Sequence, residues 1–550
     1  MRPVVSLAFA LSACTEVGEI PRAPRDSAAF DTVAPASPSD AWFRDVAIEA
    51  GVLHKRSRVE YTSAAHRFGG GVCVFDADAD GHLDLFFPGY ASPRSSGPHL
   101  YLARGRLKYV EETDARGLGD VGDALGCLAF DVDGDGDLDL LVTAVGGPRL
   151  YRNDGGHFVN VTDRLGKPMA NDVLATSAIA FDADDDGDLD LMVGAFGRFA
   201  PSGAPCFGPC EANILQYDYG GTVLLLQRDD GTFEDATARI GRPREPTLTL
   251  LATDLDADGK LDVFVGNDLA SVRDRYLRRR ADGKFEDVAE QLGIAVATKS
   301  RSGISTMSAF DVDVDGDGAL DLAESSNDSE PDSVFRCAGG TCTDVSDALE
   351  LFRGPHNFRW GQALVDFDHD GVVELFEAAG HWEIELETDG ISRNFETYAR
   401  PVLFHHARHG EPFALVPAKY GLDIPTGGRG VIAADLDGDG DLDVVVAAAI
   451  GRPLVLENVR LGKGNALHLA LAGRGKNRFG VGAHVRVHVG SRTIPFIAHA
   501  GVGYMSSGDP RIHVGVGAAT SVTVDVDWPS GKKSIGVAVP ATGTQTIAEP

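Results

Sequence analysis

A nine-residue acidic phrase, Asp-x-Asp-x-Asp-Gly-x-x-Asp, recurs seven times in this 550-residue chain, the sixth copy ending in Glu. The copies begin at Asp76, Asp131, Asp182, Asp254, Asp313, Asp366 and Asp435. Each lies between short β-patterned apolar runs, roughly 50–70 residues from the next, which is the signature of a repeat architecture. The spacing of the acids also defines a chemistry. Calcium takes six to eight hard oxygen donors in a flexible cage. Carboxylates at positions 1, 3 and 5 converge on one point if the backbone turns sharply, and Gly at position 6 permits that turn. Position 7 adds a carbonyl oxygen and position 9 a closing carboxylate. Magnesium fits less well, because it demands a tighter octahedron and keeps its waters.

The expected ligands follow copy by copy. They are Asp76, Asp78, Asp80 and Asp84; Asp131, Asp133, Asp135, Asp137 and Asp139; and Asp182, Asp184, Asp186, Asp188 and Asp190. The fourth copy supplies Asp254, Asp256, Asp258 and Asp262, and the fifth Asp313, Asp315, Asp317 and Asp321. The sixth supplies Asp366, Asp368, Asp370 and Glu374, and the seventh Asp435, Asp437, Asp439, Asp441 and Asp443. Two frames compete in the fifth copy, since Asp311 also precedes alternating acids. Only a start at Asp313 puts Gly318 at position 6 and Asp321 at position 9. An EF-hand loop begins in the same way but needs Glu at position 12 between helices. Here position 12 is Phe87, Val142, Val193, Val265 or Val446 in five copies, and Glu324 and Glu377 have no helical flanks. A set of solvated turns would not keep an apolar residue at position 8, where Leu83, Leu138, Leu189, Leu261, Leu320, Val373 and Leu442 stand.

Much of the formal net charge of −32 sits in these phrases. Seven divalent ions would offset about +14 of it, so the acidity speaks more of bound ions than of partners. It excludes nucleic acid, which needs a basic surface.

The first residues read as a targeting segment. Val4 to Leu11 is short and apolar, and Leu11-Ser12-Ala13-Cys14 resembles a bacterial lipobox. The resemblance implies cleavage that leaves Cys14 as a multiply acylated membrane anchor; a secretory signal with a chance Cys is the alternative. The signal is placed at 1–14 and a Pro- and Ser-rich flexible tether at 15–40. The expected location is outside the cytoplasm, lipid-anchored, at the outer membrane or cell surface in a Gram-negative cell.

Seven cysteines fit an oxidising compartment. Cys206 with Cys210, and Cys337 with Cys342, are spaced to close small disulfide loops. Cys73 and Cys127 lie in apolar strand segments and are expected as buried thiols.

Period-two patterning surrounds each phrase: Leu138, Leu140 and Val142 share one strand face. A strand precedes each loop, and a second signature follows, as in Leu150-Tyr151-Arg152-Asn153-Asp154-Gly155 and Phe158-Val159-Asn160-Val161. Four strands per repeat make a propeller blade. Trp42-Phe43-Arg44-Asp45-Val46-Ala47 reads as an outer blade strand that precedes the first hairpin. The last hairpin is followed only by Leu454-Val455-Leu456-Glu457, so the N-terminal strand is placed to complete the seventh blade and leave no open edge. The fold class is all-β, a seven-bladed propeller at 41–460 and a small β domain at 461–550.

These repeats resemble FG-GAP/VCBS units of integrin α-subunit propellers. Asn477-Arg478-Phe479-Gly480-Val481-Gly482-Ala483, Gly503-Tyr504, Asp509-Pro510, His513-Val514-Gly515-Val516-Gly517 and Trp528-Pro529-Ser530-Gly531 resemble the ASPIC/UnbV domain. The combination is similar to the cartilage acidic protein family, and Trp360-Gly361 and Gly380-His381 also fit it. The resemblance implies a calcium-binding, secreted or surface protein with an adhesive role and no catalytic activity.

Function is therefore expected as a non-enzymatic adhesion or protein- or glycan-binding module, its partner meeting the loops opposite the acidic hairpins. The longest of these, 196–222, holds Phe199, Phe207, Tyr217 and Tyr219. The alternative is a propeller lyase or hydrolase acting on polysaccharide, with His356, Trp360, His381 and Trp382 near one blade. His405, His406 and His409 form a third candidate, a transition-metal site.

Overall fold

A computed structural model of the protein describes residues 41–56, 68–90, 97–198, 219–242, 244–268, 272–295, 305–326, 332–351, 358–380, 400–460 and 462–550. Cys14, the tether, Cys206, Cys210, Phe199, Phe207, Tyr217, His356, His381 and Trp382 lie outside these residues.

Seven four-stranded antiparallel sheets follow one another along the chain. In blade 1 the strands are Cys73–Phe75, Asp84–Phe87, His99–Ala103 and Tyr109–Glu111. Blades 2 to 6 repeat this order, with first strands Ala124–Phe130, Val173–Phe181, Thr247–Thr253, Ser308–Val312 and Phe358–Val365. Blade 7 takes its first three strands from Gly427–Ala434, Asp443–Ile450 and Leu454–Asn458. Its fourth is Phe43–Asp45, paired so that Phe43 faces Asn458 and Asp45 faces Leu456. The first strands of neighbouring blades pack side by side, and those of blades 7 and 1 also meet. The ring is thus closed by its own N-terminal strand, and no blade is left with an unpaired terminal strand to recruit another chain.

Every acidic phrase is the turn between the first and second strands of a blade. The second signature has an equally local role. Asn160, Asp235, Asp287 and Asp344 end outer strands and accept the backbone N–H two residues on. Where a Thr or Ser stands at that position it accepts an N–H from the third strand, as Thr162 does from Leu150, Thr237 from Leu224 and Ser346 from Val334. Side-chain oxygens thereby stop each blade at a fixed length.

The remaining strands form two sheets with their own apolar core, including Leu467, Val485, Val514, Val524 and Trp528. One sheet runs Ile512–Gly517, Asn465–Ala472, Gly543–Ala548, and the other Arg492–Ile497, His484–Val489, Ser521–Asp527, Lys533–Pro540. This tail domain does not stand apart. Its 500–507 loop enters the centre of the ring. Ala180 N donates to Ala500 O, Cys127 N to Met505 O, and Thr249 Oγ1 to Gly503 O. Val72 N donates to Ser506 Oγ, Ser507 N to Val72 O, and Tyr504 Oη to Phe68 O at 2.7 Å. Phe68, Leu125, Leu174, Leu248, Met307 and Trp360 each contribute an apolar group from the hub and surround Tyr504 and Met505. Gly71 and Gly126 make room: a Cβ on Gly126 would lie 2.6 Å from Met505 Cβ.

Cysteine pairing differs from expectation at one place. Cys73 and Cys127 are buried, but they are bonded to each other and not separate thiols. They lie 54 residues apart on the first strands of blades 1 and 2. Sequence spacing carries no sign of this pair, because only the side-by-side packing of neighbouring blades brings the two strands together. Cys337 and Cys342 form a second disulfide across the hairpin of blade 5.

Candidate metal centres

All seven acidic turns have the same backbone. Residue 6 is Gly with φ between 83° and 101° in every copy. Position 4 is also left-handed in every copy, occupied by Ala79, Gly134, Asp185, Ala257, Gly316, His369 and Gly438. That second reversal is invisible in the sequence pattern, since four of the seven residues carry a Cβ and bear its strain.

The carboxylates divide into two roles. At position 1, one oxygen accepts the N–H of the position-6 glycine in all seven copies: Asp76 from Gly81, Asp131 from Gly136, Asp182 from Gly187, Asp254 from Gly259, Asp313 from Gly318, Asp366 from Gly371 and Asp435 from Gly440. Position 5 accepts the N–H of position 7 in all seven, as Asp80, Asp135, Asp186, Asp258, Asp317, Asp370 and Asp439 show. The fifth copy therefore folds in the Asp313 frame, while Asp311 faces His499 of the tail at 2.8 Å.

Position 9 is the most buried. Asp84, Asp139, Asp190, Asp262, Asp321 and Glu374 have no exposed surface, and Asp443 has almost none. One oxygen accepts the N–H of position 2, as from Ala77, Val132, Ala183, Val314, Phe367 and Leu436. The other accepts from the end of the third strand, as from Ala103, Asn153, Gln227, Arg279, Cys337 and Asn458. The same third-strand residues grip the preceding blade. Asn153 Nδ2 donates to Ala77 O, Gln227 Nε2 to Val132 O, Arg279 Nη1 to Asp182 O and Asn458 Nδ2 to Phe367 O. Four of the acidic turns, the first, second, third and sixth, are thus joints between neighbouring blades.

What these bonds leave over is informative. Oδ1 of the position-3 residues Asp78, Asp133, Asp184 and Asp368 is buried without a hydrogen-bond partner, as are Asp366 Oδ1, Asp262 Oδ2 and Glu374 Oε1. Ligand atoms of Asp76, Asp78 and Asp84, of Asp131, Asp133 and Asp139, and of Asp182, Asp184 and Asp190 lie within 4.8 Å of one another. In the fourth turn the converging set is Asp254, Asp256 and Asp258. Buried carboxylate oxygens seldom go unpaired, and a hard cation satisfies them. The residues present therefore fit calcium. Asp315, Asp437 and the position-7 acids Asp137, Asp188 and Asp441 belong to the same turns; Asp188 and Asp441 are held by tail lysines.

Electrostatics agrees. Burial, then the neighbouring carboxylates, push Asp84 and Asp321 up to about 7 and Asp139, Asp190 and Asp262 up to about 8, against the lowering effect of their backbone donors. Glu374 and Asp443 are likewise raised well above the usual carboxylate range, first by burial. Without a cation these sites disfavour their own ionised form.

The tail domain covers this face of the ring. Lys476 pairs with Asp188, Lys463 with Asp441, and His484 Nε2 lies 3.1 Å from Asp254 Oδ2. Arg478 Nε donates to Gly134 O, and Gly517 N to His369 O. Arg492 acts on Asp313, Asp366 and Asp370, and Arg511 on Asp435 and Asp76. A cavity of about 220 Å³ remains between the tail and blades 5 to 7, with Asp311, His499, Arg492 and Arg511 in its wall.

Of the other candidates, Trp360 is fully buried, edge-on to Tyr504 at 5.4 Å and under Arg429 at 3.9 Å. The three histidines do not converge on one point. His405 turns toward Glu374, His406 stacks on Phe413, and His409 faces Val314 O of blade 5.

Residues 76–142, 131–193 and 254–324 match the FG-GAP-like repeat, and residues 473–550 match the ASPIC and UnbV family. The chain carries FG-GAP-like repeats and an ASPIC/UnbV domain. Mouse cartilage acidic protein 1 is 24% identical over 512 residues, which cover 86% of this chain and 72% of the mouse protein. The human protein is 24% identical over 520 residues, 86% of this chain and 70% of its own length. Among solved structures, an Agrocybe aegerita lectin that recognises non-reducing terminal N-acetylglucosamine aligns over 65% of this FG-GAP/ASPIC chain and 83% of its own. Its TM-score is 0.39 and its identity 16%, too loose a likeness to carry an argument.

Two outcomes follow from the division of roles. Asp139→Ala strands two buried N–H donors and should cost the metal-free protein about 1–3 kcal/mol for each. Asp133→Asn should change metal-free stability by less than about 1 kcal/mol while weakening calcium loading of that turn. Denaturant titration with and without calcium separates the two. The raised carboxyls also set a pH trend. A carboxyl whose folded pKa exceeds its unfolded value supports the fold below the unfolded value and withdraws that support as pH rises through the folded value. The melting temperature of metal-stripped protein should therefore fall between about pH 4 and pH 8. A flat or rising profile would contradict the assignment.

Proposed function

We propose that the protein is an exported, calcium-clamped binding module without enzymatic activity. The observation that carries this reading is the common construction of the seven turns. Each spends part of its carboxylate set on backbone donors, and most of them leave a buried oxygen for a cation. The turns sit beneath the tail, four of them as blade joints, so calcium acts on the stability of the ring and not at a reaction centre. Up to seven ions are expected, with the weak affinities, ~10⁻⁴ to 10⁻³ M, that suit extracellular modules. Two disulfides fit an oxidising compartment. Among the described residues no helix is long and apolar enough to cross a membrane; attachment through Cys14 is the proposed route to the surface.

The partner would be an extracellular protein or glycan, met on the ring face away from the tail, where the connections between second and third strands lie. The polysaccharide-lyase or hydrolase reading would place its chemistry at the hub around Trp360. That reading is disfavoured by the packing there, because Tyr504 and Met505 fill the space against Phe68, Leu125 and Leu248.

The test uses the full chain stripped of metal. Equilibrium dialysis should show calcium loading at most of the seven turns. Glycan-array and cell-surface binding should then be present with calcium and lost on chelation. Release of unsaturated or reducing ends from a polysaccharide would overturn the non-enzymatic reading.

A further inference from the structure

The sixth turn differs from the other six at two positions that face each other. Position 9 is Glu374, one methylene longer than Asp. The second difference comes from the third strand. Pairing of Leu375 with Phe404, like that of Leu140 with Tyr151, Val263 with Leu277 and Leu322 with Phe335, fixes the equivalent residues. The residue after each is His405 in blade 6, against Arg152, Arg278 and Arg336. In blade 4 Arg278 reaches the position-3 Asp256 at 2.6 Å, and in blade 5 Arg336 pairs with Asp315. Blade 7 reaches the same end with Arg106, 2.7 Å from Asp437. A guanidinium neutralises a carboxylate but has no lone pair for a metal. An imidazole has one.

His405 Nε2 lies 3.9 Å from Glu374 Oε1. Ligand atoms of Asp368, Glu374 and His405 all lie within 4.8 Å of one another. The two most buried acids of the turn keep unused atoms. Glu374 has no exposed surface and Asp366 is 8% exposed, and Glu374 Oε1, Asp366 Oδ1 and Asp368 Oδ1 lack hydrogen-bond partners. Their other oxygens are partly committed, Glu374 Oε2 to Phe367 N and Asp366 Oδ2 to Gly371 N. Trp42 packs beside the imidazole at 5.6 Å, and Arg460, 3.9 Å from Asp368 Oδ2, is outside hydrogen-bonding reach.

We propose that the sixth turn is a mixed oxygen–nitrogen site for a first-row transition ion, with Asp366, Asp368, Glu374 and His405 as its ligands. Calcium takes oxygen donors, whereas imidazole favours zinc and its neighbours, and such ions outrank calcium at a site of this composition. The proposal rests on the calcium reading only for the other six turns.

Zinc is the probe. The metal-stripped full chain is loaded with millimolar calcium and titrated with zinc against a chromophoric chelator. One equivalent should bind and resist calcium in thousandfold excess. His405→Arg, the residue type of three other blades, should weaken zinc binding by at least about 100-fold, since even outer partners of a ligand are worth 10–100-fold. Glu374→Asp should weaken it to a smaller extent, and His409→Ala should leave it unchanged. Dichroism checks that each variant folds. Displacement of zinc by calcium at parity, or retention of the zinc equivalent in His405→Arg, would overturn the proposal. The calcium reading fails separately, by absence of calcium at the other six turns whatever zinc does.

Discussion

One buried carboxylate per blade holds the architecture together. The position-9 side chain lies where the acidic turn, the second strand and the third strand meet. In most blades its two oxygens take one backbone N–H from the turn and one from the third strand. The residue that gives the second N–H often reaches the preceding blade as well, as Asn153 and Asn458 do. A group of this kind is expensive to bury as an ion. Its raised pKa reports that cost, and a cation beside positions 1, 3 and 5 removes it. On the proposed calcium reading, metal affinity and blade-to-blade geometry would be set by the same atoms.

The tail adds a second layer of constraint. Its lysines, arginines and His484 lie over the acidic turns, and its Tyr504 loop fills the hub. A ring closed by its N-terminal strand is pinned at the centre by a segment some 450 residues later in sequence, near residues 500–507. Contacts of this range form late and reward the whole fold at once. The proposed partner would meet the face away from the tail.

Much of this was legible in the sequence, for physical reasons that can be named. Gly at position 6 marks an obligatory left-handed residue, and alternating Leu138, Leu140 and Val142 mark a strand face. The surplus strand at Trp42–Ala47 had one plausible partner, the incomplete seventh blade. What was not legible depended on tertiary proximity. Cys73 and Cys127 looked like separate core thiols because nothing local brings neighbouring inner strands into view. The left-handed residue at position 4 was hidden because Ala79, Asp185, Ala257 and His369 occupy it. The Gly503-Tyr504 motif was recognisable, but its role as the hub plug was not. His405 gained meaning only when strand register set it beside Arg278 and Arg336 as the equivalent residue.

The central claim is that calcium stabilises the ring by offsetting the cost of burying mutually repelling carboxylates at the acidic turns. Thermal unfolding of the full chain at neutral pH, metal-stripped and then in millimolar calcium, tests it most directly. The melting temperature should rise with calcium, because millimolar calcium is about one- to tenfold the ~10⁻⁴ to 10⁻³ M dissociation constants and adds about 0.4–1.4 kcal/mol at each independent site. Identical melting curves after chelation and after calcium addition would contradict the account.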